Sequence, residues 1–298
     1  MKRILITGAN GFIGSSLTTF LNNKGYKIFC LTSKPINSNS NGVTYIKCPM
    51  NNYHNLSKLL DTQLEYDAFI HLAWQGTSGI DRDNFQVQEL NYIYSKSLFD
   101  QIKQHFKIKK IVSFGSIIQD DFLINSLANR VLFNPYGLFK TLVENTFFNT
   151  FSNSNIKANW IKLIHVFGPN DNQNRFISKT LSDIYNNKEL HFTKSDQYYD
   201  FIHIKDAIEL IYKIILDENH KLKVTLTSNN QFDLKTYINK ILNVLNYSGK
   251  VHYDIESNST YIPLSSFVEN NPIIKNYYFS LRFEERVKEL YETIYSKQ

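Results

Sequence analysis

Short apolar runs rich in Ile, Val and Phe alternate with stretches of helical periodicity through the first half of the chain. That alternation predicts a parallel sheet whose strands are joined by crossover helices. Ile4–Thr7 reads as a short buried strand bounded by glycine, followed by a helix from about Phe12 to Lys24 that Gly25 stops. Lys27–Leu31 is the next strand. A polar loop, Asn37 to Gly42, precedes a third at Val43–Lys47. Leu56–Leu60 belongs to a helix, Ala68–Ala73 to a buried strand, Asn84–Phe106 to a long helix and Lys110–Phe114 to a fifth strand. Asn134-Pro135-Tyr136 marks a helix start, because Asn accepts free amide hydrogens and Pro at the first position gives up no useful donor. That helix runs to about Phe151, and Ala158–Val166 returns as a sixth strand.

Beyond Gly168-Pro169 the pattern is less regular. It predicts a helix near Phe176–Asn186, a strand at Asp200–Ile204, a helix over Asp206–Leu216 and a charged amphipathic helix over Ser280–Tyr295. The fold class expected is α/β, a doubly wound parallel sheet with a smaller C-terminal lobe. The division predicted is 1–168 for the sheet domain and 169–298 for the lobe, with a segment near 200–217 returning to the first.

Composition narrows the picture. In 298 residues, 42% are apolar and 20% charged, enough for a sizeable core and unlike a disordered chain. Two cysteines, Cys30 and Cys48, supply neither a disulfide framework nor a thiolate metal spacing. No metal is expected, and the reduced cytoplasm is the expected compartment. No apolar run is long enough for a membrane span. The net charge of +6 suits phosphorylated ligands as well as nucleic acid, but nothing concentrates it. Its densest cluster, Lys107, Lys109 and Lys110, reads as a solvated turn.

The candidate chemistry begins at Thr7-Gly8-Ala9-Asn10-Gly11-Phe12-Ile13-Gly14. Gly8 permits a tight turn, Gly11 a close backbone approach to a pyrophosphate, and Gly14 close packing of helix on sheet. The helix N-terminus then offers amide hydrogens to phosphate. Farther along stand His71-Leu72-Ala73-Trp74, Asn91, Ser116, Tyr136-Gly137-Leu138-Phe139-Lys140, Val166-Phe167-Gly168-Pro169 and Asp200-Phe201-Ile202-His203-Ile204-Lys205-Asp206. In this order and spacing the chain resembles the extended short-chain dehydrogenase/reductases, the NAD(P)-dependent epimerase/dehydratase group acting on nucleotide sugars. The resemblance spans essentially the whole chain. It implies a Rossmann-type sheet domain, a substrate-binding lobe, a nucleotide-sugar substrate and a homodimer through the helices near Asn84–Phe106 and Tyr136–Phe151. It also implies that Gly8, Asn10, Gly11, Phe12, Ile13, Gly14, Leu72 and Ala73 hold the dinucleotide.

The second strand ends Leu31-Thr32-Ser33-Lys34 without the carboxylate that would bind ribose hydroxyls. Ser33 and Lys34 suit a 2′-phosphate, which favours NADP(H) over NAD, the alternative being that Lys34 is a solvated loop residue. Cys48-Pro49-Met50 stands where relatives have an acid near the adenine. Tyr136 and Lys140, four apart on one helix, share a face. An ammonium beside a phenol stabilises phenolate and makes a weak acid useful near neutral pH, and Lys140 can also bond the nicotinamide ribose. Ser116, preferred over Ser113 because its offset matches the family's catalytic hydroxyl, would hold the sugar oxygen.

The two positions after Ser116 sort the family's reactions. A dehydratase needs an acid and a base there, and this chain has Ile117 and Ile118. A combined epimerase–reductase needs a Cys and a His, and neither cysteine is suitably placed. A net ketoreductase of a 4-keto-6-deoxyhexose is therefore expected first, a 4-epimerase with bound NAD second, and a non-catalytic dinucleotide-binding regulator third. Trp74, Gln75 and Thr77 would flank the sugar, although Trp74 also suits a core position. His165 would contact substrate or pack as a structural histidine. Arg175 would pair with the diphosphate or with a surface carboxylate, since Tyr199 stands where relatives have an arginine. Asp206 reads as a helix cap.

Overall fold

The structure, a computed structural model, describes residues 2–34, 41–120, 134–253 and 268–295. Most of the polar loop expected before Val43, residues 37–40, lies outside the described residues. Seven strands form the main sheet: β1 (Arg3–Thr7), β2 (Lys27–Thr32), β3 (Val43–Lys47), β4 (Ala68–His71), β5 (Lys110–Ser116), β6 (Lys157–Leu163) and β7 (Lys221–Leu226). Their order is β7-β6-β5-β4-β1-β2-β3, and β1 to β5 pair in parallel. Ile4 sits opposite Ile28 on one side and Ala68 on the other. The order reverses at β1, so a crevice opens beyond the carboxyl ends of β1 and β4, where ligands bind in open sheets of this kind. This is the doubly wound α/β arrangement the sequence predicts.

Burial on both sides explains why the strands read as continuous apolar runs. Ile4, Leu5 and Ile6 are wholly buried. Helix α1 (Phe12–Asn23) follows β1, α2 (Phe85–His105) follows the loop after β4, and α3 (Pro135–Phe151) precedes β6. Leu5, Phe69 and Ile111 share one core with Leu98, Phe99 and Ile102 of α2 and Val143, Phe147 and Phe151 of α3. Asn84 caps α2 by accepting from Gln86 and Val87, and Asn134 caps α3 by accepting from the Gly137 amide at 3.0 Å.

The chain divides into two compact units, Met1–Lys162 with Ile211–Val224, and Leu163–Leu210 with Thr225–Gln298. The stretch rejoining the first unit is thus Ile211–Val224, where the sequence reading places 200–217. The second unit contains the parallel pair His165–Phe167 and Phe201–His203, with helices α4 (Phe176–Tyr185), α5 (Ile204–Leu216, whose later turns belong to the first unit), α6 (Leu234–Val244) and α7 (Phe283–Tyr295). Ile177, Leu181, Phe201, Tyr237, Ile238, Val287 and Leu290 make its core.

Three expectations change here. The predicted strand Ala158–Val166 is two: β6 ends at Leu163, the Val166 amide turns back onto the Ile164 carbonyl at 3.1 Å, and His165 starts a strand in the other unit. Lys110 is not solvated like Lys107 and Lys109. It is buried, and its ammonium donates to the carbonyls of Ile214 and Ile215 at 3.2 and 2.8 Å and to that of Asp217, satisfying the end of α5. Asp206 does not cap; in the first turn of α5 it accepts from Arg286 Nε and Nη2, each at 3.1 Å, in a buried two-point ion pair.

Candidate active site

At the switch point, Gly8 has φ +71, and a Cβ on it would lie 2.7 Å from the Ala73 amide nitrogen. A Cβ on Gly14 would collide with the Gly8 carbonyl oxygen. The first glycine therefore lets the turn lie against the β4 loop, and the second lets α1 start directly beneath it. The resulting cavity of about 420 Å³ is lined by Gly8, Asn10, Gly11, Ser33, Cys48, Pro49, Tyr53, Leu72, Ala73, Trp74 and Gln75, among others. Phe12, Ile13 and Gly14 form the first turn of α1. Lys34 is exposed, and its carbonyl accepts from Thr32 Oγ1 at 2.8 Å. This cradle, whose turn depends on the close approaches that Gly8 and Gly14 allow, fits a dinucleotide: a pyrophosphate against the turn and the free amides of α1, and an adenosine toward the end of β2.

The crevice floor is fixed by a buried relay. Thr7 Oγ1 lies 2.8 Å from His71 Nδ1, His71 Nε2 lies 3.1 Å from Ser95 Oγ, and the Ala73 amide donates to Thr7 Oγ1 at 3.2 Å. Burial, helped by the nearby Lys140 charge, pulls His71 down to about 3, so it is neutral and serves as a spacer. The following loop is tied to α2. Asn91 pairs with both main-chain groups of Gln75 at 2.8 and 2.9 Å, and Gln88 donates to the carbonyls of Gly76 and Asp81 while accepting from Trp74 Nε1 at 2.8 Å.

The indole so held faces Lys140. Lys140 is 6% exposed, donates from Nζ to the Phe114 carbonyl at 2.8 Å, and lies 3.6 Å from the centre of the Trp74 ring. Trp74 also meets Tyr136 edge to face at 6.0 Å, and the Arg82 guanidinium lies over the Tyr136 ring at 5.3 Å. A carbonyl and an aromatic face both favour a cation. Burial nevertheless brings Lys140 from the ordinary lysine value down to about 7, so the amine is poised between its two forms at neutral pH.

Ser116 closes β5. Its amide donates to Gln119 Oε1 at 2.9 Å, Gln119 Nε2 donates to Glu144 Oε2 at 2.8 Å, and Glu144 is paired with Lys223. Ser113 is buried within the strand opposite His71, whereas Ser116 is partly open at its end. Ile117 and Ile118 are both buried.

The structure brings Trp74, Tyr136 and Lys140 together, and puts Trp74 and Gln75 on the dinucleotide cavity. Thr77 is exposed on the following loop. In the second unit, His165 lies against Tyr199 with ring centres 4.4 Å apart and planes tilted by 46°, and its Nδ1 is 3.3 Å from the Asp200 carbonyl. Arg175 Nη1 pairs with Asp171 at 3.2 Å. Sequence reasoning missed Arg82, Gln88, Gln119 and Glu144. Gln119, three residues after Ser116, and Glu144, four after Lys140, carry a spacing signal; Arg82 carries none.

The sequence model of the NAD dependent epimerase/dehydratase family matches residues 4–225. The chain belongs to this family. Among curated relatives, CDP-abequose synthase of Salmonella typhimurium is 27% identical over 224 residues, 73% of this chain and 71% of its own. The dTDP-6-deoxy-L-talose 4-dehydrogenase (NAD(+)) of Aggregatibacter actinomycetemcomitans is 25% identical over 224 residues, 72% of this chain and 81% of its own. Among solved structures, the UDP-N-acetylglucosamine 4-epimerase from Methanobrevibacter ruminantium M1 in complex with UDP-N-acetylmuramic acid superposes with a TM-score of 0.81 at 20% identity, covering 100% of this chain and 99% of that one. The UDP-glucuronic acid 4-epimerase from Bacillus cereus, in complex with UDP-glucuronic acid and NAD, gives 0.75 at 19%, covering 99% and 100%. The fold of this epimerase/dehydratase family member is thus a Rossmann-type α/β fold. No helix among the described residues is long and apolar enough to cross a membrane.

The lysine gives a testable sign. In the unfolded chain Lys140 keeps its proton to about pH 10.4, whereas in the folded chain it loses it near 7. Between those limits the unfolded state binds more protons, so this group makes the cofactor-free protein more stable as pH rises, by up to ~1.4 kcal/mol per pH unit. The contribution is level below about pH 7. Urea denaturation of the parent and Lys140→Met proteins at pH 7.5, 8.5 and 9.5 should show the parent gaining on the variant at each step; parallel profiles would exclude a depressed lysine.

Proposed function

We propose that the chain is an NADP(H)-dependent reductase of a nucleotide-activated 4-keto-6-deoxyhexose. The observation that carries this reading is the burial of Ile117 and Ile118 immediately after Ser116, at the end of the strand whose Phe114 carbonyl accepts from Lys140. Buried aliphatic side chains cannot shuttle the protons that elimination of water requires. Both thiols are also unsuited to carbon acid–base work, since burial pushes Cys30 and Cys48 up to about 11. What such a site can still do is change the oxidation level of one carbinol carbon. The curated relatives support the choice: one is named for a CDP-linked sugar, the other as a 4-dehydrogenase of a dTDP-6-deoxyhexose.

A reduced nicotinamide, when bound, supplies the hydride for the carbonyl carbon. The chain's own work is positional and protonic. Ser116 Oγ donates a hydrogen bond to the carbonyl oxygen. Tyr136 hands that oxygen its phenolic proton as the C–O bond becomes single, and the new phenolate is stabilised by the Lys140 ammonium and the Arg82 guanidinium. The cost of burying charge on Lys140 falls as its neighbour becomes negative, so the two ionisations support each other. The Gln119–Glu144 pair would keep Ser116 in place, and Gln88 would keep Trp74 against Lys140. Gln75 and Thr77 are proposed to contact the nucleotide sugar.

For the cofactor, the absence of a carboxylate at the end of β2 supports NADP(H), with Ser33 and Lys34 offered to the 2′-phosphate. NAD, the cofactor of the Bacillus cereus neighbour's complex, is the alternative. The decisive experiment is a panel of CDP-, dTDP- and UDP-linked 4-keto-6-deoxyhexoses with NADPH or NADH, following loss of the reduced nicotinamide. Oxidation of NADPH in preference to NADH is expected, and Lys34→Asp should reverse the preference. Conversion of an unreduced nucleotide hexose to its C4 epimer, without net cofactor change and with no keto sugar consumed, would replace this reading with the epimerase.

The protein is further proposed to be a homodimer through α2 and α3. Phe85, Leu90 and Ile93 on α2 and Leu142 on α3 are large apolar side chains left exposed in the single chain. Light scattering should give twice the chain mass; a monomer at micromolar concentration would end this proposal.

A further inference from the structure

The second unit carries a side-chain cluster that the reduction does not use. Leu190–His191 and Val251–His252 form a parallel ribbon with only two register pairs, Leu190 with Val251 and His191 with His252. Alternation along a strand sends Leu190 and Val251 into the unit's core, and therefore sends both histidines to the opposite, outer face. Glu189, two positions before His191, returns to that same face. The two imidazoles stack with centres 4.6 Å apart and planes 14° from parallel, and His252 Nε2 lies 3.2 Å from Glu189 Oε2. One donor atom from each of Glu189, His191 and His252 lies within 4.8 Å of the others. Lys250 Nζ holds the other carboxylate oxygen at 2.9 Å.

We propose that Glu189, His191 and His252 form a binding site for one divalent transition-metal ion of the zinc, nickel or copper class. Two neutral nitrogens and one carboxylate oxygen are the donor set these ions take, and one that magnesium or calcium does not select. Ligands of a tetrahedral zinc stand about 3.3 Å apart, given metal–ligand bonds near 2.0–2.1 Å. Rotation of the exposed Glu189 and His191 side chains and the half-buried His252 on fixed strands covers that contraction, and the fourth position is left to water. The ion exchanges the weak Lys250–Glu189 pair for three metal bonds. It also ties together chain positions 63 residues apart where two register pairs otherwise hold the ribbon. Its expected effect is to stabilise the folded second unit in proportion to free metal.

Tag-free full-length protein should be titrated with Zn²⁺ by calorimetry and with Co²⁺ by visible absorption, and melted with and without Zn²⁺. The expected result is one ion per chain, a visible Co²⁺ band and a raised melting temperature. His191→Gln and His252→Gln should each weaken binding by about tenfold or more. Lys250→Met, which releases Glu189 from its competing cation, should tighten it. Absence of stoichiometric binding would overturn the site, as would binding of equal strength in both histidine variants, which would put the metal elsewhere.

Discussion

A lysine amine shut away from water, between a backbone carbonyl and the face of an indole, sets the terms for the rest of the first unit. An isolated ammonium in that position would be costly, and the molecule answers in two ways. It supplies partners that prefer the charged form, the Phe114 carbonyl and the Trp74 ring. It also lets the amine titrate near neutrality, so that Lys140 carries its charge most readily when a negative charge develops beside it. The surrounding architecture serves to keep those partners still. Gln88 and Asn91 of α2 hold the loop that carries Trp74, and β5 presents the Phe114 carbonyl two residues before Ser116.

The same strand ends create the opening into which a dinucleotide fits. Because the strand order reverses at β1, a crevice opens beyond the ends of β1 and β4, and the Thr7–His71–Ser95 relay ties those two strand ends to each other and to α2. A charged histidine in that relay would repel Lys140. Burial keeps it neutral, which leaves the lysine as the buried cation beside the aromatic pair.

Much of this was legible in the sequence because it is written in local rules. Apolar runs marked the strands, Asn84 and Asn134 marked the helix starts, and the spacing of Gly8, Gly11 and Gly14 marked the crossing of turn and helix. What could not be read depends on partners far apart in sequence. The burial of Lys110 depends on the end of a helix more than a hundred residues away, and the role of Asp206 depends on Arg286. The break at Ile164 is invisible in composition, since the residues on both sides are apolar and strand-forming. Arg82 over Tyr136 is another such case, a residue of the short helical turn Ile80–Arg82 brought to α3 by packing alone.

The central claim is that Tyr136, with Lys140 at its side, delivers the proton that accompanies carbonyl reduction. Single-turnover oxidation of bound NADPH by the accepted keto sugar, compared between the parent protein and Tyr136→Phe, tests it most directly. The account predicts a rate lower by about 10²- to 10⁴-fold in the variant, the range a positioned general acid contributes, with NADPH binding little changed. An unaltered rate would contradict it, because the proton would then come from somewhere else.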